Sequence, residues 1–491
     1  MENKMLLCKK IFASVILGVM FLPAILFAQD GYRVEHDLLG EKQIPNDAYY
    51  GVQTMRALEN FQISGVTTKD YPELVNAFVL VKLAAIRANY ESGALPKYVL
   101  DAVEKACAEV IAGKYHDQFL VDLYQGGAGT SANMNVNEVL ANIALELSGK
   151  QKGDYAYIEP HDHLNMSQST NDSYPTSLHV AIILMNQKLL PELEALINSF
   201  EAKGKEFENI LKMGRTELQD AVPMTLGQEF YAFANQLKAS IDELKQAEAN
   251  LYVINMGGTA IGTKLTAQKG FVENCAKHLG ELLKMKIVPA TDLIAATSDL
   301  SGFVVYSSAL NTLSVRLSKI ASDLILLASG PRTGLFEINL PALQPGSSIM
   351  PGKVNPVMPE LMNLVTFKVM GNNVTVTIAS KTGQLQLNAY EPLAISCILE
   401  SQKLLTNTMK AFRTSCVDGI TANEDIMTKY INQSVGIVTA LNPVLGYEKT
   451  TELAKEALET GKGILELIRE KKLLTEDQIK ELLDPKKMTG Q

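Results

Sequence analysis

"LIAATSDLSGFVVYSSALNTLSVRLSKIASDLILLAS", Leu293–Ser329, is apolar or small on more than one face when wound as an α-helix. Such a helix cannot lie on the surface of a monomer, where one of those faces would meet water. Together with the start signal at Asp292, the stretch predicts a long helix over 292–329, buried in a bundle that other subunits complete. Two more long helical patterns precede it, over 176–212 and 226–255, bounded by Gly, Pro or Asn signals. The later one opens with Thr225 and Gln228 at capping-box spacing. A further pair is expected over 356–380 and 392–415, and shorter helical patterns follow from Ile426. No alternation of strand and helix appears, and no repeat of fixed period.

Composition agrees with this all-α reading. The 491 residues are 47% hydrophobic and 7% aromatic, with no tryptophan. Leu, Ala, Ile, Glu and Lys favour helix over sheet. Residues 29–170 are expected to form an N-terminal domain, 171–425 a central long-helix domain and 426–491 a small helical C-terminal domain. Within the first, 37–61 carries Gly, Pro and Asn-Asp signals and is expected to be irregular. The formal net charge of -9, without basic runs, leaves no footprint for a nucleic-acid partner. An acidic ligand must therefore be drawn by a local site.

At the N-terminus, Lys4, Lys9 and Lys10 precede an apolar run over 11–27 and then Ala28. This pattern predicts a secretory signal peptide over 1–28 and a periplasmic or secreted protein. The alternatives are an uncleaved membrane anchor or a cytoplasmic chain. No stable membrane partner is expected once the leader is removed. Cys107, Cys275, Cys397 and Cys416 form no CxxC pair and read as buried free thiols.

Four polar islands interrupt the helices: 126–137, 167–176, 214–225 and "GSSIMPGKVNPVMPE", Gly346–Glu360. Familiar motifs fail on them. The last has one residue too many between Gly346 and Gly352 for a phosphate-binding P-loop, and Val354 where a hydroxyl is needed. "GAGTSA" has dinucleotide-fingerprint spacing but no parallel sheet around it. The histidines of "EPHDHLN" lack a third metal ligand nearby, and no G-x-S-x-G elbow is present. Together the islands can hold a small dianion. Lys353 supplies a cation, and Thr130, Ser169, Thr170, Thr216 and Ser348 supply hydroxyls. Asn355 and Pro356 read as the N-cap and first residue of a helix, whose positive end would face the same island.

At these residues the chain resembles the aspartase/fumarase superfamily, whose G-S-S-x-M-P-x-K-x-N loop matches Gly346–Asn355. The resemblance extends through "DLLGEKQIPNDAYYGVQT", "YQGGAGTSANMNVNEVLAN", "NMSQSTNDSYPT", "GRTELQDAVPMTLGQEF" and "GITAN", in order along nearly the whole chain after the leader. Among the superfamily's branches the motifs look most like the ammonia-lyase branch. The fumarase pattern H-T-H-L-Q-D-A is absent.

The resemblance implies an all-helical, three-domain fold and a homotetramer whose active sites each draw on three subunits. The implied reaction is reversible deamination of L-aspartate to fumarate through an aci-carboxylate. The alternatives are hydration of fumarate, as in a class II fumarase, and an inactive scaffold of the same fold. Ser347 is implied as the general base. Thr130, Ser169, Thr170 and Ser348 would surround the β-carboxylate, Thr216, Lys353 and Asn355 the α-carboxylate, and Asn171 would meet the amino group. No cofactor is implied, and magnesium enters only as a loose activator. Glu217 departs from the histidine or glutamine found there in relatives. It is expected to accept a hydrogen bond from the substrate ammonium.

Overall fold

At some helix starts in this chain a hydroxyl or carboxylate side chain accepts a backbone N–H, and in places such side chains decide where the structure departs from the apolar pattern. The computed structural model describes residues 31–484. The expected leader over 1–28 lies outside them.

The N-terminal part holds strands β1 (Tyr32–Asp37) and β2 (Gly40–Pro45), then helices α1 (Val52–Asn60), α2 (Pro72–Glu91), α3 (Lys97–Ile111) and α4 (Thr130–Leu147). The antiparallel register, Tyr32 opposite Pro45 and Asp37 opposite Gly40, and α1 replace the irregular segment expected there. Helix α5 (Thr170–Glu206) follows, then strands β3 (Leu211–Thr216) and β4 (Gln219–Thr225), and helix α6 (Leu226–Glu248).

Helix α5 begins ahead of the expected Thr176, because Ser169 and Asp172 form a capping box. Ser169 Oγ accepts the Asn171 N–H at 3.2 Å, and Asp172 Oδ1 accepts the Ser169 N–H at 3.0 Å. Pro175 reads as a stop but sits early in the helix. The carbonyl its missing N–H leaves free, that of Asn171, accepts from Asn255 Nδ2 at 2.9 Å. At the other end, residues read as helix through Lys212 enter the β3–β4 hairpin instead. Helix α6 starts where the sequence places it: Thr225 and Gln228 exchange hydrogen bonds of 3.0 Å each.

After α7 (Phe271–Leu283), the stretch expected to be one helix over 292–329 is two, α8 (Leu293–Ser298) and α9 (Ser301–Leu327). Asp299 makes the break. Its carboxylate accepts both the N–H and the hydroxyl of Ser301 at 2.8 Å, an arrangement that competes with a continuous helix. One face of the stretch is buried within the chain while Ile294, Val305, Val315 and Leu326 stay exposed, and a single acid sets the boundary.

Helices α10 (Val357–Lys381) and α11 (Glu391–Ser415) complete the bundle. Helix α5 packs on α2, α6 and α11, while α9 packs on α6 and α10. Phe200, Phe230, Phe233 and Phe412 meet inside it with ring centroids 5.7–6.5 Å apart. Each such side chain contributes roughly 1.5–3 kcal/mol by burial. A separate apolar core, including Ile431, Leu441, Leu453, Ile464 and Ile468, lies under α12 (Glu424–Gln433), α13 (Val438–Leu445), α14 (Tyr447–Thr460), α15 (Ile464–Glu470) and α16 (Glu476–Leu482). The four predicted free thiols are free and buried. No helix among the described residues is long and apolar enough to cross a membrane.

Candidate active site

The first two islands converge. Helices α4 and α5 both begin at a cavity of about 410 Å³ lined by Thr130, Ser169 and Thr170, together with Gln53, Asn133, His161, Asn165, Gln168 and Thr259. Two positive helix ends and three hydroxyls therefore share one polar space, a combination suited to a carboxylate. The α4 start needs an unusual backbone: Gly127, Ala128 and Gly129 have φ of 84°, 52° and 84°. A Cβ at Gly129 would lie 2.4 Å from the Tyr174 ring, so glycine alone fits. Thr130 Oγ1 donates to the Gly127 carbonyl at 2.9 Å, which holds the threonine at the helix start.

Behind the cavity lies a buried polar layer. Lys82 on α2 is 1% exposed and donates to Asn165 Oδ1 at 3.0 Å and to Gln168 Oε1 at 2.8 Å. Asn133 Nδ2 reaches Asn165 Oδ1 at 3.1 Å and Thr170 Oγ1 at 3.2 Å. Asp172 is fully buried and accepts backbone N–H groups from Ser169, Gly257 and Thr259. Burial pushes the Lys82 ammonium down to about 7 and the Asp172 carboxyl up to about 7. The attraction between the two groups, and the hydrogen bonds to Asp172, oppose that penalty.

At the rim, His161 bonds Gln53 at 2.8 Å and Glu159 at 2.9 Å. The bond to Glu159 raises the imidazole pKa above its ordinary value. Gln53 is itself held by Glu138 of α4, which accepts the Gly51, Gln53 and Thr54 N–H groups at the start of α1.

Of the other expected residues, Asn171 lies beside this cavity and the rest lie in two separate groups. Asn171 Nδ2 donates to the Ala260 carbonyl at 2.8 Å, on the loop that closes one side of the cavity. Thr216 and Glu217 are at the β3–β4 turn, where Glu217 and Leu218 have φ of 52° and 63°. That hairpin is anchored by the fully buried Glu337, which pairs with Lys212 at 2.9 Å and Arg215 at 2.7 Å.

Ser347, Ser348, Lys353 and Asn355 share a loop whose neck is closed by two bonds. Gly346 N–H donates to the Lys353 carbonyl at 2.6 Å, and Asn355 Nδ2 donates to the Gly346 carbonyl at 2.9 Å. Asn355 thus ties the loop instead of capping α10, and the helix begins at Val357, not at Pro356. Ser347 Oγ accepts the N–H groups of Ile349 and Met350 at 3.2 and 3.0 Å. Lys353 is exposed.

No hydrogen bond or ion pair among the described residues joins the cavity group, the hairpin group and the Ser347 group. Among the described residues no cluster of three or more His, Cys, Asp or Glu side chains is placed to hold a metal ion. Sequence reasoning missed Lys82, Asn133 and Asp172, which lie within helices, and Thr259, in "GGTAIGTKLT", whose Gly and Thr content was the available signal.

The protein is an all-helical bundle that gathers two helix starts and their hydroxyls around one cavity, and the family match places it among the lyases. The chain belongs to the aspartase/fumarase superfamily: the Lyase family model matches residues 40–371, and the Fumarase C C-terminus model matches 437–490. It is 52% identical over 457 residues to the aspartate ammonia-lyase of Pseudomonas aeruginosa, covering 93% of this chain and 96% of that protein. With the aspartate ammonia-lyase of Bacillus subtilis it is 47% identical over 465 residues, covering 95% and 98%. Among solved structures, the fumarate lyase:delta crystallin of Brucella melitensis bound to cobalt superposes with a TM-score of 0.89 at 48% identity, covering 92% of this chain and 98% of that one. The class II fumarase of Schistosoma mansoni superposes with a TM-score of 0.85 at 36% identity, covering 93% and 99%.

Proposed function

We propose that the protein is a carbon–nitrogen lyase that interconverts L-aspartate with fumarate and ammonia. The observation that carries this reading is the cavity where α4 and α5 begin, with Thr130, Ser169 and Thr170 around it. The identity to aspartate ammonia-lyases over most of the chain supports it.

The hard step is removal of a weakly acidic Cβ proton, which leaves an aci-carboxylate with added negative charge. Thr130, Ser169, Thr170 and Ser348 hold that carboxylate, and the two helix ends stabilise the charge that develops on it. Ser347 takes the proton. The Ile349 and Met350 N–H groups aimed at its Oγ favour the alkoxide. Thr216, Lys353 and Asn355 bind the α-carboxylate, and Asn171 and Glu217 meet the amino group. The chemistry asks for no cofactor, and magnesium would act only as a loose activator.

The same proposal includes a homotetramer with each site shared by three subunits. It is supported by the apolar stripe on α10, where Leu364, Phe367, Val374 and Ile378 are 67%, 57%, 59% and 53% exposed in the single chain. The three-domain division at 170 and 425 belongs to it as well, as does export by the leader over 1–28. Fumarate with and without ammonium separates the readings: loss of fumarate absorbance only with ammonium supports the ammonia-lyase, and equal loss without it makes the protein a fumarase. N-terminal sequencing of the mature protein after cell fractionation tests export, and an intact leader in the cytosolic pool would overturn it.

A further inference from the structure

We propose that Thr259, on the loop over 257–266, is a further substrate-binding residue of the candidate site, its hydroxyl serving the same carboxylate as Thr130, Ser169 and Thr170. This rests on the dicarboxylate reading above and assigns one more side chain to that site.

Three observations meet at Thr259. The residue is part of the cavity wall. It is 3% exposed, yet its Oγ1 has no hydrogen-bond partner among the described residues. A buried hydroxyl that has lost water without gaining a protein partner is an uncommitted donor, and the residue that carries it stands in the wall of the cavity. Its φ is 59°, in the left-handed region that β-branched residues avoid. Backbone held in such a conformation persists only where the surroundings fix it, and those surroundings are visible.

Asp172 supplies the fixation. The carboxylate that caps α5 through the Ser169 N–H also accepts the Thr259 N–H at 2.8 Å and the Gly257 N–H at 3.1 Å. One buried acid therefore locks the hydroxyl-bearing start of α5 and the Thr259 loop into a single frame. Asn171 adds a second tie through the Ala260 carbonyl. The loop is also pressed onto the start of α8, since a Cβ at Gly262 would lie 2.4 Å from the backbone of Ile294. Asp172 acts as a positioning residue, and Thr259 is the group it presents.

The test compares Thr259→Val, which keeps the β-branched shape and removes the hydroxyl, with Thr259→Ser, which keeps the hydroxyl. Fumarate binding by calorimetry and steady-state turnover of aspartate are both measured on the full-length protein. The expected result is about tenfold weaker fumarate binding and a similar rise in KM for the Val variant. Its kcat should change much less, and the Ser variant should stay within about threefold of wild type. Melting temperature and oligomeric state should be unchanged in both.

Wild-type affinity in the Val variant would overturn the proposal. So would a Val variant that binds fumarate normally but dissociates into smaller species, which would assign the hydroxyl to a subunit contact. If the Val variant misfolds, the Ser variant and Thr259→Ala carry the comparison, and equal binding by those two overturns it. A wild-type protein that binds fumarate without turning over aspartate removes the ammonia-lyase reading and leaves this inference intact, provided the Val variant binds more weakly. Absence of any fumarate binding overturns both.

Discussion

Ser347 Oγ accepts the backbone N–H of Met350 at 3.0 Å, so the side chain proposed as base already carries a donor aimed at the atom that would hold negative charge. A second donor, the Ile349 N–H, stands at 3.2 Å. A serine hydroxyl is a very weak base in water, and donors placed on its oxygen stabilise the deprotonated form. Ser347→Ala should lower kcat by roughly 10²–10⁴-fold, the range of general base catalysis, while fumarate binding stays within a few-fold. Near-normal turnover by the alanine variant would remove Ser347 from the mechanism.

Lys353 is placed on the same loop for a different task. The side chain is exposed, while its backbone carbonyl closes the loop neck against Gly346. Substituting the side chain therefore leaves the neck intact. Lys353→Ala should raise KM for aspartate by roughly 10- to 100-fold, the value of a charge-assisted hydrogen bond, with a smaller effect on kcat. A fall in kcat at constant KM would instead place the lysine in the chemical step.

Gly129 sets the geometry of the cavity from below. Its φ of 84° and the 2.4 Å approach of a Cβ to the Tyr174 ring both exclude a side chain. Gly129→Ala should destabilise the protein by at least about 1–2 kcal/mol from the left-handed backbone alone, with the ring contact added. Because Thr130 follows directly, affinity for fumarate should fall along with the melting temperature. An alanine variant as stable and as tight-binding as wild type would show that the α4 start can shift without cost.

The apolar faces of the long helices were legible because burial leaves a periodic trace. The boundaries were not, and the residues responsible are polar. Asp299 splits α9 from α8 by bonding Ser301, and the Ser169–Asp172 capping box starts α5 early while Asn255 takes up the carbonyl that Pro175 leaves unpaired. Ser301 lies only two residues beyond Asp299, but Asn255 comes from far along the chain and cannot be read from local pattern. The site divides in the same way. Hydroxyls and the loop lysine stand out in the polar islands, whereas Lys82 lies in an apolar helix, and Asn133 and Asp172, though inside the islands, matter through contacts made only on folding. The hairpin over 211–225 was read as a helix end and a loop, because its short strands lack the length that would set them apart.

Glu217 stands at the β3–β4 turn with φ of 52°. A carboxylate there repels a substrate carboxylate and attracts an ammonium, so it should favour aspartate over malate. Glu217→Gln should lower the ratio of aspartate to malate kcat/KM by about tenfold, the value of one charge-assisted bond. An unchanged ratio would leave Glu217 as a solvated turn residue.

His161 offers a pH dependence whose sign follows from its partners. Glu159 bonds the ring and raises its pKa, and Glu138 and Asp162 act in the same direction, while partial burial opposes them. Gln53 carries no charge and contacts the other ring nitrogen. A histidine pKa raised in the folded state contributes stability that is fully present below the unfolded value, near 6.5. That contribution disappears as pH rises through the higher folded value. The pair is half exposed, the His161 side chain at 54%, so solvent screening limits the effect to about 0.5 kcal/mol. Between about pH 6 and pH 8, His161→Gln should lose less thermal stability than wild type, the two curves converging at the alkaline end, because the glutamine cannot take up the proton that Glu159 favours. Parallel melting curves for the two proteins across that range would show that the Glu159–His161 pair contributes nothing to folding.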